Sequence, residues 1–269
     1  MNQNSLSSSD TTDNYSIKAY AKVNIFLKIT GHKDGYHTLI SRFMRVDDLY
    51  DTIRLISQEC DEFTIKGCEG VDTTTNTIYK AYLELYKTTQ NENIITFFKH
   101  HKVSVTKSIP SQAGLGGGSS DAAAFMRLVN EVCELNLSRE ELSRVGSRIG
   151  ADLPFFIYNY PSANVSGFGE IVEAFDEEVV TIECFTPPIG CDTAVVYKSF
   201  KENFLSQIDL ESFTGWEQKS SQELLETIKD PLLLNDLYLA AEKAYPDLKK
   251  YAKEGWFFSG SGSTFFRLK

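Results

Sequence analysis

The stretch IPSQAGLGGGSSDAAAF, residues 109–125, sets Gly114 and the run Gly116, Gly117, Gly118 directly ahead of an alanine-rich segment. Each glycine in a regular element forfeits roughly 0.5–1 kcal/mol against alanine through backbone entropy. Such a run implies a tight turn or a ligand that must approach bare backbone. Upstream, KVSVTKSIP reads as a short alternating strand with Val103 and Val105 inward. Downstream, Ala122, Phe125, Leu128, Val129, Val132 and Leu135 recur at three- and four-residue steps, the pattern of a helix packed on one side. Ser119 or Ser120 is the expected N-cap, and Asp121 suits the positive end of the helix dipole. Strand, permissive loop and capped helix together converge N–H donors on one point, an anion site by geometry and dipole. The plainer alternative is a glycine turn needed for close helix packing, but three glycines and two serines exceed what a turn requires.

Familiar nucleotide motifs do not fit the loop. A Walker A loop needs a lysine after its glycines, and none follows. A dinucleotide fingerprint needs glycine at its sixth position, where this chain has Ser119. The chain holds no G-x-S-x-G nucleophile elbow.

The 269 residues allow one large or two modest domains, with 42% hydrophobic and 24% charged residues. A net charge of −10 argues against nucleic acid or an anionic membrane surface as the main partner, though not against a local pocket for a small anion. No apolar run approaches the roughly 18 residues of a membrane span. Five cysteines, an odd number without a CxxC pair, read as reduced thiols in a cytoplasmic protein. The N-terminus lacks the basic and apolar regions of a secretory signal, so residues 1–15 are expected to be a flexible polar lead-in.

From Ile17 to Ile29 the odd positions are all apolar, while Lys18, Tyr20, Lys22, Asn24, Phe26 and Lys28 fill the even ones. This period of two predicts a long half-buried strand with Lys22 and Asn24 on one face, opposite the core. Asp34-Gly35 signals a hairpin. DLYDTIRLISQ and EFTIKGCEG read as further strands, and NTIYKAYLELYK as a helix with Ile78, Tyr82, Leu85 and Tyr86 on one face. Ser138 and Glu141 form a capping box for a helix running to about Gly150, and Pro154 in GADLPFFI is expected to close off helix. Beyond about residue 163, EIVEAF, VVTIECF and DTAVVYKSF look like strands. Helices are expected around 222–228 and 236–244, and the terminal GWFFSGSGSTFFRLK reads as a strand broken by a Gly/Ser turn. The whole is an α+β chain of two lobes, 16–162 and 163–269, with an irregular segment at 206–221 to which the sequence assigns no role.

The segment PSQAGLGGGSSDAAA closely resembles the central motif of the GHMP kinases. AKVNIFLKITGHKDGYHTL (21–39) and IGADLPFF (149–156) resemble, within that group, the family of 4-diphosphocytidyl-2-C-methyl-D-erythritol kinases, and SGSGSTFF (259–266) resembles the family's third motif. The likeness runs from about residue 16 to the C-terminus. It implies a two-lobed GHMP kinase fold, an N-terminal nucleotide-binding lobe on a ferredoxin-like C-terminal lobe. It further implies ATP with Mg2+, and a small-molecule cytidylyl substrate phosphorylated on the 2-hydroxyl of its methylerythritol end. By the same resemblance Lys22 and Asp152 are the catalytic pair. The loop residues Pro110, Gly114, Leu115, Gly116, Gly117, Gly118, Ser119 and Ser120 hold the nucleotide, with Asn76 and Lys107 at the adenine. Asn24, Tyr36, His37 and Tyr197 bind the substrate, Tyr36 by stacking on the cytosine. Ser119 and Asp121 are the candidates for a protein contact to magnesium, whose ligands are otherwise not readable, and Asp121 stands where some relatives carry asparagine. Lys22, Lys107 and Lys28 are the local cations expected to offset substrate charge. A homoserine- or mevalonate-type kinase and a nucleotide-binding module without catalysis are the alternatives. GYHTL favours a cytidine site over the first, and the presence of both Lys22 and Asp152 speaks against the second.

Overall fold

The computed structural model describes residues 15–33, 35–68, 70–228 and 230–269; the expected lead-in, up to residue 14, and Asp34 of the hairpin signal lie outside them. Two long antiparallel strands, β1 (Tyr15–Lys33) and β2 (Tyr36–Ser57), form the spine. After the short β3 (Ile65–Lys66) come α1 (Thr77–Thr89), α2 (Glu92–Lys99) and β4 (His101–Thr106). The glycine loop then leads into α3 (Gly117–Val132), α4 (Arg139–Ser147) and α5 (Leu153–Tyr158), followed by β5 (Ser162–Gly167) and β6 (Ile171–Ala174). Last come β7 (Ile182–Phe185), α6 (Thr193–Asn203), α7 (Ser221–Thr227), α8 (Pro231–Leu234), α9 (Leu237–Ala244), β8 (Phe257–Phe258) and β9 (Phe265–Leu268).

Among the described residues, β1 to β6 form one sheet: β2 pairs β1 along its length, and its other edge takes β5 at 39–44 and β4 at 52–57. A smaller antiparallel sheet runs β7-β9-β8. Because β5 and β6 still belong to the first sheet, the layer changes between Ala174 and Ile182 rather than at 162/163.

The strict alternation along β1 does not give one buried face. Register shifts between Tyr20 and Ala21 and between Asn24 and Phe26 exchange the faces, because a slip of one residue reverses every side chain beyond it. Ala19, Leu27 and Ile29 join a core on the helix side, with Phe43, Ile53, Phe125 and Leu153. Ala21, Val23, Ile25 and Phe26 join a second core with Met44, Leu224, Phe257 and Phe266. Lys22 and Asn24 do share a face, that of Phe43, which pairs with Asn24. It is no solvent face, since the two are 4% and 1% exposed.

Two local expectations change, and one helix is added. DTAVVYKSF is the helix α6, because Asp192 accepts from Val195 N–H as N-cap and Val196, Ser199 and Phe200 recur at helical spacing on the buried side. Pro154 opens α5 instead of closing a helix, as its missing N–H is harmless in a first turn. NENIITFF forms α2, capped by Asn91, where the sequence shows no separate signal.

The segment 206–221 acquires a structural role. Trp216 packs edge-on against Phe26, ring centroids 5.7 Å apart, and the fully buried Arg42 donates to Glu217 O at 2.8 Å and Lys219 O at 3.3 Å. Arg42 also pairs with Glu177 at 3.3 Å and donates to Asn164 Oδ1 at 2.7 Å. Replacing Arg42 by methionine removes the cation from the buried Glu177 carboxylate, which keeps only neutral donors from Ser162 and Ser221, and takes the donor from Lys219 O and Asn164 Oδ1. A loss of about 3–5 kcal/mol in folding stability is expected, read as the shift in urea midpoint; a shift below about 1 kcal/mol would show that the segment docks without it.

Candidate active site

Three consecutive carbonyls of the glycine loop are tied to the protein. Thr264 N–H donates to Ala113 O at 3.1 Å, Ser259 Oγ donates to Gly114 O at 3.0 Å, and Lys22 N–H donates to Leu115 O at 3.0 Å. The loop is thus gripped between β1 and the turn joining β8 to β9. Gly114 and Gly116 have φ of +73° and +71°. A Cβ on Gly114 would collide with the Ser259 carbonyl, and one on Gly116 would sit 2.7 Å from Phe156 Cζ. Packing of the protein on itself therefore accounts for these two glycines.

Gly116 is also the N-cap of α3, and the first intrahelical bond is Ser120 N–H to Gly116 O at 2.8 Å. The expected serine cap is corrected: Ser119 and Ser120 lie inside the first turn. Ser120 donates to Tyr20 O at 2.6 Å and is buried, so its hydroxyl faces β1 and not the nucleotide side. Ser119 lies towards Gly150. The amides of Gly117, Gly118 and Ser119 precede the first helical bond and form the donor set for an anion.

Asn76 caps α1, accepting from Ile78 N–H at 2.8 Å, and its neighbour Thr77 donates to Gly118 O at 2.8 Å. The two helix starts therefore meet at the loop. Asn76 also borders a cavity of about 220 Å³ walled by Ile65, Gly67, Val71 and Thr73. Lys107 lies at the start of α3. Its ammonium lies between Asp51 and Asp121, 2.7 Å from Asp121 Oδ2, beneath Gly117. Asp51 is fully buried and accepts from Ile109 N–H at 2.8 Å through its other oxygen, which pins the chain just before the exposed Pro110. Sequence reasoning missed Asp51, which sits in an alternating strand like any solvated polar residue.

Burial pushes the Asp121 carboxyl up to about 7, with Asp51 adding to the rise and Lys107 opposing it. Burial pulls Lys107 down, but Asp121 and Asp51 outweigh it and hold the ammonium above the ordinary lysine value. One ammonium serves two buried carboxylates, and Asp121 Oδ1 has no hydrogen-bond partner among the described residues.

On the other side of the loop, Lys22 Nζ donates to Asn24 Oδ1 at 2.6 Å and stands 3.6 Å from Asp152 Oδ2. Burial lowers the Lys22 pKa, and Asp152 raises it in part. Asn24 is oriented by its own donation to Ser41 Oγ at 2.9 Å. Asp152 occupies the N-cap position of α5 without making a side-chain cap bond, which leaves its carboxylate for Lys22. Tyr197 on α6 lies within the field of Asp152, and burial with that charge raises its phenol. Its ring is 5.3 Å from that of His37, and the His37 ring is 5.0 Å from His32. Burial, then His32 and Lys201, lower the His37 pKa. Tyr36 stands at the rim, 69% exposed. The structure thus brings Lys22, Asn24 and Asp152 together with the loop, and Tyr197 with His37. Lys28, expected among the few local cations, is paired with Asp236.

Residues 76–160 match the GHMP kinases N terminal domain. The chain is 62% identical over 255 residues to a protein of Sulfurovum sp. named 4-diphosphocytidyl-2-C-methyl-D-erythritol kinase, covering 95% of this chain and 99% of that protein. It is 46% identical to the protein of the same name from Sulfurimonas denitrificans, covering 94% and 96%. A crystal structure of 4-(cytidine 5′-diphospho)-2C-methyl-D-erythritol kinase superposes with a TM-score of 0.73 at 26% identity, over 94% of this chain and 90% of that one. Homoserine kinase from Cytophaga hutchinsonii shares the fold, with a TM-score of 0.65 at 17% identity, over 98% and 88% of the two chains. No helix among the described residues is long and apolar enough to cross a membrane.

The Asp121 cluster makes folding pH-dependent. An unfolded aspartate titrates at about 3.9, so the folded chain holds this proton more tightly than the unfolded one. Its stabilisation is full below about pH 4, falls as pH rises, and is lost above about pH 7. Asp121→Asn stays neutral throughout. Its melting temperature is expected to match the parent near pH 4 and exceed it at pH 8, by an amount equivalent to no more than about 4 kcal/mol. A gap that does not change between pH 4 and 8 would refute the assignment.

Proposed function

The chain belongs to the 4-diphosphocytidyl-2-C-methyl-D-erythritol kinase family, and on that footing we propose that it transfers the γ-phosphoryl group of ATP to the 2-hydroxyl of 4-diphosphocytidyl-2-C-methyl-D-erythritol. The observation that carries this reading is the placement of one ion pair, between the buried Lys22 and the half-buried Asp152. Lys22 and Asp152 meet 3.6 Å apart, and Lys22 Cε packs against Gly116, the cap of the anion-facing helix. A carboxylate and an ammonium therefore flank the point where a phosphate would end.

In this mechanism Asp152 accepts the proton of the 2-hydroxyl as that oxygen attacks the γ-phosphorus. The bond to the bridging oxygen breaks, and ADP leaves with the electron pair. An aspartate is a weak base, so orientation of the hydroxyl is the larger part of its work. Lys22 stands beside the Asp152 carboxylate. Of its three N–H donors, one is used by Asn24 and one faces Asp152, which leaves one for the oxygens of the transferred group.

The amides of Gly117, Gly118 and Ser119 hold the triphosphate, on a loop shaped by Pro110, Gly114, Leu115 and Gly116. The cavity beside Asn76 suits the adenine. The described residues hold no cluster of three carboxylate, imidazole or thiolate groups suited to a metal. Magnesium would be carried by phosphate and water, with the Ser119 hydroxyl as the protein contact. The ion would neutralise charge on the phosphates. At the far end Tyr36 stacks on the cytosine, His37 meets its edge, and Tyr197 supports that ring. Reduced cysteines are in keeping with action in the cytoplasm.

A coupled ADP-release assay with the cytidylyl substrate tests the scheme. Asp152→Asn is expected to fold normally and to lose at least about 100-fold in kcat; near-normal turnover would rule out the base assignment. Tyr36→Ala is expected to raise KM for the cytidylyl substrate by about 5- to 100-fold while KM for ATP stays put. An unchanged substrate KM would remove the stacking role.

A further inference from the structure

Phe168 belongs to none of the roles above, yet it stands where they meet. It lies in the turn between β5 and β6, 37% exposed, with its ring 5.8 Å from that of Tyr36 at an interplanar angle of 62°. It is the one aromatic ring among the described residues that Tyr36 meets. The turn is well held: Phe168 N–H donates to Glu170 Oε2 at 2.6 Å, and Gly169 N–H donates to Ser166 O at 3.1 Å. Gly169 has a φ of +123°, and a Cβ there would come within 3.1 Å of Ala151 Cβ. The turn therefore rests on the residue next to Asp152 and presents its ring to Tyr36.

A tyrosine so exposed on a hairpin turn has several rotamers open to it, and ordering it on binding costs free energy. An edge-to-face contact with a fixed ring removes part of that cost beforehand. We propose that Phe168 is a positioning residue that holds the Tyr36 ring in place for a pyrimidine nucleoside diphosphate, and so pre-organises the base subsite. The inference rests on the reading of Tyr36 as the base-stacking residue. It also gives the turn a second use: one rigid element, seated on Ala151, sets the base end relative to the reacting carboxylate.

A double-mutant cycle read by titration calorimetry with cytidine 5′-diphosphate as the probe tests this. Phe168→Ala is expected to weaken binding by about 3- to 10-fold, the range of an edge-to-face pair. Phe168→Tyr, which keeps the ring, should stay within about twofold of the parent. In a Tyr36→Ala background, Phe168→Ala should have no further effect, since the ring it positions is gone. In turnover, KM for the cytidylyl substrate should rise by the same factor in Phe168→Ala, with kcat and KM for ATP unchanged. Parent-like binding by Phe168→Ala, an equal loss in the Tyr36→Ala background, or a matching rise in KM for ATP would each overturn the proposal while leaving the kinase reading intact. If the parent protein neither binds cytidine 5′-diphosphate nor phosphorylates the cytidylyl substrate, the kinase reading falls and this inference falls with it.

Discussion

The grip on three successive carbonyls, Ala113, Gly114 and Leu115, is the constraint from which the rest of the candidate site follows. A glycine-rich loop left to itself would spread over many conformations. Here one partner comes from β1 and two from the turn between β8 and β9, so the loop is held from both layers of the molecule. With its carbonyls engaged inward, the loop delivers the chain into α3 with its first amides facing out. The gripping turn is braced in its turn by the buried Asn235, which donates to Phe258 O and Gly260 O, both at 2.9 Å. The helix start thus owes its order to residues nearly 150 positions away in sequence.

The same economy governs charge. Of the lysines expected to offset a phosphorylated substrate, Lys28 is paired with Asp236 and Lys107 with Asp51 and Asp121. Lys22 keeps a donor beyond Asn24 and Asp152, and the remainder of the anion binding falls to backbone N–H groups. Neutral donors do not need a counter-charge in the free protein, whereas buried ammoniums do. A net charge of −10 does not forbid a polyanion at such a site, because backbone donors are local and fixed.

Much of this arrangement was legible along the chain, and each failure has a definite cause. Strand, loop and helix around residue 116 were readable because turn chemistry and helical spacing act over a few residues. The capping box of α4 was readable for the same reason, and it forms with both reciprocal bonds. The faces of β1 were misread because periodicity cannot register a bulge, which depends on the partner strand. DTAVVYKSF was misread because a β-branched run suggests a strand, while Asp192 and the packing of Val196 and Phe200 decide for helix. That the first sheet runs on past residue 163 was not readable, because β5 pairs back onto β2, a contact more than a hundred residues distant, and β6 adds to β5.

The sequence by itself determined the family, the strand, glycine loop and helix start around residue 116, and the identity of the Lys22, Asn24 and Asp152 set, since these rest on residue types at short or motif-fixed spacings. Tertiary structure alone decided the surroundings of each side chain. It turned Ser120 onto Tyr20, committed Lys107 to two carboxylates, buried Lys22 and Asn24 where solvent was expected, and set Phe168 against Tyr36. The reason is physical: a side chain's type is written in the chain, but its burial and its partners depend on what the rest of the fold packs against it.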